Sequence, residues 1–340
     1  MEPHDQQPRI NTINDLFKVA IQYQRPNDED DSTDRPQPLD EERRRFLEQA
    51  LLQNTVNVAD ILKQGIERLQ TTLNEMDLNQ GTISEQEQER ALETLDNLLQ
   101  WVGQIDFARD FLTLGGYPVI ARLLQCNNQK LIVATFDLCA ELLQNNVSTQ
   151  KTVLDNGLLG VLIGRLQRED FNDSNDQRSY ADVKAKAFYC LSSLLRGNDV
   201  AIEKFIQSDG ISVLVQLMQS EMSNERLCTK VSFFLSSLTA THPFVLNLLL
   251  ERGFVDIFVA ILHGESNQSH EFLLSILNNG CLTNEEFVQE CCRPELGLKS
   301  LLHDKINFCK DKEEHLETLS VAQNLLKTCF STAVIEESDR

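Results

Sequence analysis

The chain has 340 residues, and its 52 acidic against 31 basic side chains give a net charge of -21. A chain this acidic is repelled by phosphate backbones and by anionic lipid, so we expect neither nucleic acid nor a membrane surface as a partner. Aromatic residues make up only 6% of the chain, and no run of β-branched residues alternates as strands do. The composition therefore favours an all-α protein.

The sequence has no visible secretory leader and no apolar run that approaches the roughly 20 residues of a membrane span. Residues 1–5, Met-Glu-Pro-His-Asp, are neither basic nor apolar. The nine cysteines are odd in number and scattered, which is typical of buried thiols in a reducing compartment. These features predict the cytosol or the nucleus.

Residues 1–40 are predicted to form a flexible N-terminal segment. Apolar spacing predicts a short helix within residues 8–22, and the acidic tract at 28–31, with prolines on both sides, predicts an unpacked linker. Periodicity alone leaves two interpretations of this helix open. It is either a frayed tail that docks on its own protein or a tethered recognition helix.

Residues 41–113 carry apolar residues at helical spacing and are predicted to form N-terminal capping helices. Ser84 and Glu87 have the spacing of a capping box, in which each side chain satisfies a free backbone donor at a helix start. The helix after them holds Trp101, the only tryptophan of the chain.

From residue 114 to residue 293 a unit of glycine, helix, longer helix and short helix recurs at roughly 40-residue intervals, the armadillo period. One interval is lengthened by the polar stretch 168–178, which we interpret as an insertion of unknown role. Such units bury their apolar faces only by stacking. The predicted fold is an all-α, armadillo-like right-handed superhelix, or α-solenoid, of about four repeats. Capping helices would close it at 294–330, before a tail at 331–340.

Each unit begins at a landmark glycine, which we expect to end one helix and permit the sharp turn into the next. The landmarks are Gly116, Gly157, Gly210, Gly253 and, less clearly, Gly297.

The sequence predicts no catalytic residue, no cofactor and no metal ion. Glycines near residue 160 lack the spacing of a phosphate-binding loop. His270 begins a stretch like a zinc-protease helix, but Leu274 stands where the second histidine would be. Cys291 and Cys292 are adjacent and have no Cys-x-x-Cys partner, which argues against a zinc or redox role. A binding function remains by elimination.

The long last helix of each repeat is expected to line the concave face of the superhelix. Aligned on the landmark glycines, one position holds bulky residues, for which core packing is the simpler interpretation. The position three or four residues later holds small or polar residues, which are better candidates for exposure. Arg196 follows one turn later as a charged anchor. The binding residues predicted on these helices are Phe136, Ala140, Tyr189, Ser193, Arg196, Ser237 and Asn279.

Several strings are more specific than a generic repeat, above all residues 290–298, Glu-Cys-Cys-Arg-Pro-Glu-Leu-Gly-Leu. Others lie at 8–9 with 16–21, 38–44, 106–111, 144–150, 187–196, 209–210 and 242–243. With these strings the chain resembles, over nearly its whole length, the Hsp70-binding protein 1/Fes-type armadillo nucleotide exchange factors of heat shock protein 70 chaperones.

The resemblance implies a co-chaperone whose concave face clasps one lobe of the chaperone's ATPase domain, displaces the other lobe and promotes ADP release. It adds Asp106, Ala108 and Asp110 to the chaperone-binding residues. It also implies that the N-terminal segment engages the substrate-binding domain and aids client release. The client-release residues would be Arg9, Leu16, Phe17, Ala20 and Ile21.

The chain departs from the family's pattern at Phe107, where asparagine is usual, and in the length of the stretch 168–178. The endoplasmic-reticulum branch of the family carries a signal sequence, which is not visible here, so the resemblance implies a cytosolic protein. Two alternatives stay open. One is a general armadillo adaptor that binds basic peptides in an acidic groove, and the other is a regulator of a chaperone-linked ubiquitin ligase, which is compatible with nucleotide exchange.

Overall fold

The structure is a computed structural model that describes residues 57–167, 177–222, 224–310 and 312–330. One compact unit begins at Leu62. Every regular element within the described ranges is helical, and none of these helices is long and apolar enough to cross a membrane. The predictions for the segment 1–40, the start of the N-terminal cap, most of the stretch 168–178 and the tail lie outside the described residues.

The helices are α1 (Val58–Leu78), α2 (Glu85–Val102), α3 (Ile105–Thr113), α4 (Gly116–Leu123), α5 (Gln129–Leu143), α6 (Val147–Asp155), α7 (Leu158–Gln167), α8 (Gln177–Leu195), α9 (Asp199–Gln207), α10 (Gly210–Ser220), α11 (Glu225–Thr241), α12 (Phe244–Glu251), α13 (Phe254–Leu262), α14 (Ser269–Thr283), α15 (Glu285–Cys291), α16 (Leu298–Cys309) and α17 (Leu316–Phe330). Short 3-10 turns cover Pro294–Leu296 and Glu313–His315.

Only half of the capping box predicted before α2 is formed. Ser84 Oγ accepts from the Glu87 backbone N–H at 3.2 Å, whereas the Glu87 carboxylate accepts from the Thr72 hydroxyl of α1 at 2.7 Å.

After α2 the helices follow as triplets of two short helices and one long helix. The triplets are α3–α5, α6–α8, α9–α11 and α12–α14, and α15–α17 repeats the same order at the C-terminal end. This order confirms the all-α, armadillo-like solenoid. It also assigns α3 to the first triplet, whereas the boundary expected at residue 114 placed that segment in the N-terminal cap.

The long helices form the continuous part of the core. Within this stack α5 packs on α2, α8 on α5, α14 on α11 and α17 on α14. Large apolar side chains such as Phe136, Phe188 and Ile276 are buried at these contacts. Burying a side chain of this size contributes about 1.5–3 kcal/mol, so stacking on the neighbouring triplet supplies the stabilisation that one triplet lacks.

The turn from the first to the second helix of each triplet contains one residue with left-handed backbone geometry. The φ angles are 91° at Gly115, 86° at Gly157, 57° at Asp209, 70° at Gly253 and 61° at Gly297. Glycine has no Cβ penalty in this region, and aspartate tolerates it better than most residues. The turn role predicted for the landmark glycines is therefore confirmed at positions 157, 253 and 297.

The same prediction is wrong at Gly116 and Gly210, where the left-handed residue is the one before. These two glycines have a different reason to be glycine. A Cβ on Gly116 would overlap the ring of Phe111, and a Cβ on Gly210 would overlap the ring of Phe205. The glycine allows the phenylalanine of the first helix to pack directly against the start of the second helix.

Asparagine residues begin many of the helices in the stack. Asn146, Asn198 and Asn284 cap the first helices α6, α9 and α15, and their side-chain oxygens accept from backbone N–H groups at 3.3, 3.0 and 2.8 Å. Asn128 and Asn224 cap the long helices α5 and α11 in the same way, at 3.1 and 3.2 Å. An N-cap satisfies one of the free donors at a helix start, so these residues define where each helix begins.

Candidate functional site

The asparagine caps also set the register in which the long helices correspond. Asn146 and Asn198 lie three residues after the ends of α5 and α8, whereas Asn284 directly follows α14 and His242 directly follows α11. In this register Tyr189 corresponds to Asp137, Phe233 and Ser275, and Arg196 corresponds to Gln144, Ala240 and Leu282.

We call the exposed or half-exposed side of α5, α8, α11 and α14 the third-helix face. Its residues are spaced three, four or seven positions apart, so they share one side of each helix. The face is formed by Asp137, Glu141, Gln144, Lys186, Tyr189, Arg196, Lys230, Phe233, Ser237, Phe272 and Asn279.

On this face α5 and α8 are joined by two polar contacts. The Lys186 ammonium lies 2.6 and 2.8 Å from the two carboxylate oxygens of Asp137. The Gln144 side-chain amide donates to the Tyr189 hydroxyl. The ion pair is partly exposed, so its main effect is to orient both side chains rather than to stabilise the fold.

The contact between α11 and α14 on the same face is aromatic. The rings of Phe233 and Phe272 pack edge to face, with centroids 5.2 Å apart and an angle of 71° between the planes. Phe233 remains 52% exposed, and the exposed side chain of Lys230 lies one turn before it. A pair of phenylalanines that is exposed or half-exposed beside a cation is typical of a surface that a partner protein covers.

A buried glutamine supports the face from behind. The Gln150 side-chain amide donates to the backbone oxygens of Leu143, Ser193 and Arg196 at 3.2, 3.0 and 3.2 Å. Its side-chain oxygen accepts from Asn198 at 3.3 Å. The last carbonyls of a helix have no partner within the helix, so Gln150 satisfies the ends of α5 and α8 and holds the backbone that carries Arg196.

The structure exposes six of the ten residues that were predicted to bind the chaperone. Arg196, Ser237 and the α3 carboxylates of Asp106 and Asp110 are exposed, and Tyr189 and Asn279 are half-exposed. Tyr189, Arg196, Ser237 and Asn279 come together on the third-helix face. Asp106 and Asp110 lie instead on α3, the first helix of its triplet, where Asp106 is 4.0 Å from Arg109.

The other four predicted residues are buried, namely Ala108, Phe136, Ala140 and Ser193, with exposures of 1%, 0%, 0% and 7%. We correct these assignments, because a buried side chain offers no area to a partner. At α5 the glycine alignment is one residue out of register, and one residue turns the position by about 100° around a helix. Asp137 and Glu141 occupy the exposed positions that were assigned to Phe136 and Ala140.

The register error has an identifiable cause. The landmark Gly116 lies one residue after the left-handed residue Gly115, whereas the landmark Gly157 is itself the left-handed residue, so an alignment on the two glycines shifts α5 by one residue against α8. At most two residues separate the asparagine caps from the ends of the long helices. An alignment on those caps, with His242 in place of an asparagine after α11, identifies Phe233 and Asp137, which the sequence analysis missed, from the sequence alone.

Phe107, where the resemblance implied asparagine, is half-buried. Its ring packs edge to face on Trp101 at a centroid distance of 6.1 Å. This packing is an aromatic contact between α2 and α3. The predicted client-release residues of the N-terminal segment lie outside the described residues.

Comparisons with known proteins agree with this architecture. The family model described as the SIL1/FES1/HPBP1 C-terminal domain matches residues 107–240, and the model described as nucleotide exchange factor Fes1 matches residues 13–111. Hsp70-binding protein 1 of Rattus norvegicus is 31% identical over 316 residues, which cover 90% of this chain and 83% of that protein. The chain belongs to the SIL1/FES1/HPBP1 family. The resemblance noted in the sequence is thereby confirmed.

Other similarities extend across the family and the fold. The Hsp70 nucleotide exchange factor FES1 of Saccharomyces cerevisiae is 24% identical over 233 residues, covering 64% of this chain and 76% of that protein. Among solved structures, a computationally designed armadillo repeat protein for modular peptide recognition superposes with a TM-score of 0.58 at 18% identity, covering 78% of this chain and 99% of that chain. The structural likeness supports the armadillo fold of this family member.

Proposed function

We propose that this protein is a nucleotide exchange factor of Hsp70 chaperones, which binds the chaperone's ATPase domain and promotes ADP release. The observation that carries the proposal is the 31% identity to Hsp70-binding protein 1 over 83% of that protein. Exchange requires no chemistry on the nucleotide. By linkage, a partner that weakens ADP binding by a given factor is itself bound more weakly by that factor when ADP is present.

We infer that the third-helix face contacts the chaperone. Aromatic residues and arginine carry most of the binding energy in protein interfaces, and this face combines Tyr189, Phe233 and Arg196 on helices that pack pairwise. Ser237 and Asn279 lie beside them as polar contacts. The cations Lys186, Lys230 and Arg196 on the same face disfavour the alternative of a groove for basic peptides.

Further parts of the proposal concern the rest of the chain and its location. Asp106 and Asp110 add a second contact from α3. The segment 8–22, with Arg9, Leu16 and Phe17, engages the substrate-binding domain and aids client release. The protein acts in the cytosol, and regulation of a chaperone-linked ubiquitin ligase is compatible with exchange on the same chaperone.

The test is the rate at which purified Hsp70 releases fluorescent ADP in a stopped-flow experiment. The full chain is expected to accelerate release. Phe233→Asp removes an aromatic contact of the face and adds a charge, and a hot spot of about 2 kcal/mol corresponds to roughly 30-fold weaker binding. The concentration needed for half-maximal acceleration should rise accordingly.

Phe244→Asp is the matched control. Phe244 is 49% exposed, close to the 52% of Phe233, but it lies on α12, the first helix of its triplet. We expect this variant to match the wild type. No acceleration by the wild-type chain contradicts the exchange function, whereas equal effects of the two substitutions contradict only the assigned face.

A further inference from the structure

Three cysteines from distant parts of the sequence meet at the C-terminal end of the stack. Cys281 lies near the end of α14, Cys291 ends α15, and Cys329 lies in the last turn of α17. Their sulfur atoms all lie within 4.8 Å of one another, and Cys281 Sγ and Cys329 Sγ are 3.5 Å apart. All three side chains are buried.

This arrangement has the dimensions of a thiolate metal site. A metal–sulfur bond of about 2.3 Å places tetrahedral ligands about 3.8 Å apart, close to the 3.5 Å between Cys281 Sγ and Cys329 Sγ and within the 4.8 Å that bounds all three sulfur atoms. Thiolates select soft ions such as Zn²⁺ and Cu⁺, whereas Mg²⁺ and Ca²⁺ require oxygen ligands.

A fourth cysteine lies beside the three. Cys292 is half-buried, and its thiol donates to the backbone oxygen of Cys329 at 3.0 Å. Its sulfur is not among those that lie within 4.8 Å of one another, so the side chain would have to change rotamer to reach an ion. Structural zinc sites have four ligands, while three thiolates are sufficient for Cu⁺.

We propose that Cys281, Cys291 and Cys329 bind one soft metal ion, Zn²⁺ or Cu⁺, which fastens α17 to α14 and α15. Cys292 is the fourth ligand when the ion is Zn²⁺. Within the described residues α17 packs on α14 and α16, and a metal link would add direct bonds from α17 to α14 and α15. The proposal is independent of the binding face on α5, α8, α11 and α14.

The test uses the full chain, reduced and freed of metal under anaerobic conditions. Titration with Co²⁺, a spectroscopic substitute for Zn²⁺, should produce thiolate charge-transfer bands that saturate at one equivalent and vanish when Zn²⁺ is added. Titration with Cu⁺ against a colorimetric chelator measures the other ion. Binding to the folded state should also raise the thermal transition temperature.

Cys329→Ser should weaken binding at least about 100-fold, since even residues behind the direct ligands cost 10–100-fold. Cys309→Ser is the matched control, because Cys309 is buried on α16 but is not one of the three. Cys292→Ser should weaken Zn²⁺ binding and leave Cu⁺ binding unchanged if Cys292 is the fourth ligand.

Circular dichroism shows whether Cys329→Ser folds. If it does not, the proposal is tested by metal binding to Cys281→Ser and by whether added metal protects the wild-type cysteines from an alkylating reagent. The proposal is overturned if the wild type binds neither ion stoichiometrically, or if Cys309→Ser loses as much affinity as the cluster variants. A Cys281–Cys329 disulfide that forms in place of metal binding also overturns it.

Discussion

Single glycines fit the short helices of this protein together. The ring of Phe205 lies where a Cβ on Gly210 would stand, and Phe111 is placed in the same way against Gly116. A similar contact occurs between Phe287 and Gly280 of a long helix. The interior is as closely packed as a molecular crystal, so one added methyl group forces the ring or the backbone to move.

Gly210→Ala is therefore expected to lower the free energy of unfolding by about 1–3 kcal/mol, the usual cost of overpacking. Gly160→Ala is the control. Nothing lies within 4 Å of a Cβ at that helical position, and alanine is favoured there by about 0.5–1 kcal/mol. Urea unfolding measures both variants, and a Gly210→Ala protein as stable as the wild type contradicts the packing account.

His270 is buried, and its Nδ1 lies 2.5 Å from the ammonium of Lys305. Burial, with a smaller contribution from Lys305, lowers the pKa of His270 from 6.5 to about 4. Between these values the unfolded chain takes up a proton that the native chain does not. The free energy of unfolding therefore falls as the pH falls through this window.

His270→Asn should remove the pH dependence that His270 gives to the free energy of unfolding. Between pH 6.5 and pH 4 the free energy of unfolding of this variant should therefore fall less than that of the wild type. The expected difference is about 3 kcal/mol. Urea unfolding at a series of pH values measures it, and parallel pH profiles for the two proteins would refute the assignment.

At the scale of helices, the asparagine caps define where elements begin and how the long helices correspond. Asn198 does more than cap α9, because its side-chain amide also donates to the buried Gln150 at 3.3 Å. Asn284 caps α15, and its amide contacts Asn247 in an exposed position. Capping alone is worth about 1 kcal/mol, and a buried acceptor without a partner costs about 1–3 kcal/mol more.

We expect Asn198→Ala to destabilise the protein by about 2–3 kcal/mol and Asn284→Ala by about 1 kcal/mol. The free energies of unfolding, measured under identical conditions, test the ranking. Equal losses would mean that the bond from Asn198 to Gln150 contributes nothing to stability.

At the scale of the whole molecule, we assign ADP release to the stacked helices and client release to the N-terminal segment. The described compact unit begins at Leu62, and the proposed contact face lies on α5, α8, α11 and α14. Removal of residues 1–40 is therefore expected to leave the stack and its action on ADP intact.

With the truncated chain, Hsp70 should release ADP at the same rate as with the wild type. It should release a fluorescent client peptide more slowly. An unchanged thermal transition temperature is the control for folding. A truncated chain that fails in ADP release contradicts this division, and one that releases client normally contradicts the role of Arg9, Leu16 and Phe17.

The sequence by itself determined the features that depend on neighbours along the chain. Helical period, cap residues and turn residues act over one or two turns, so the all-α class, the recurring triplet and the glycine turns at 157, 253 and 297 were predictable. The strings that carry the family resemblance, such as residues 290–298, could be identified because each is a continuous stretch of the sequence.

Only the tertiary structure decided which side of each long helix remains exposed and which residues from distant parts of the sequence come into contact. The exposure of Asp137 rather than Phe136 depends on the packing of α5 between α2 and α8, and one residue turns a helix by about 100°. The meeting of Cys281 with Cys329 depends on contacts across 48 residues. Burial and contact depend on neighbours in space, and a pattern along the chain does not report those neighbours.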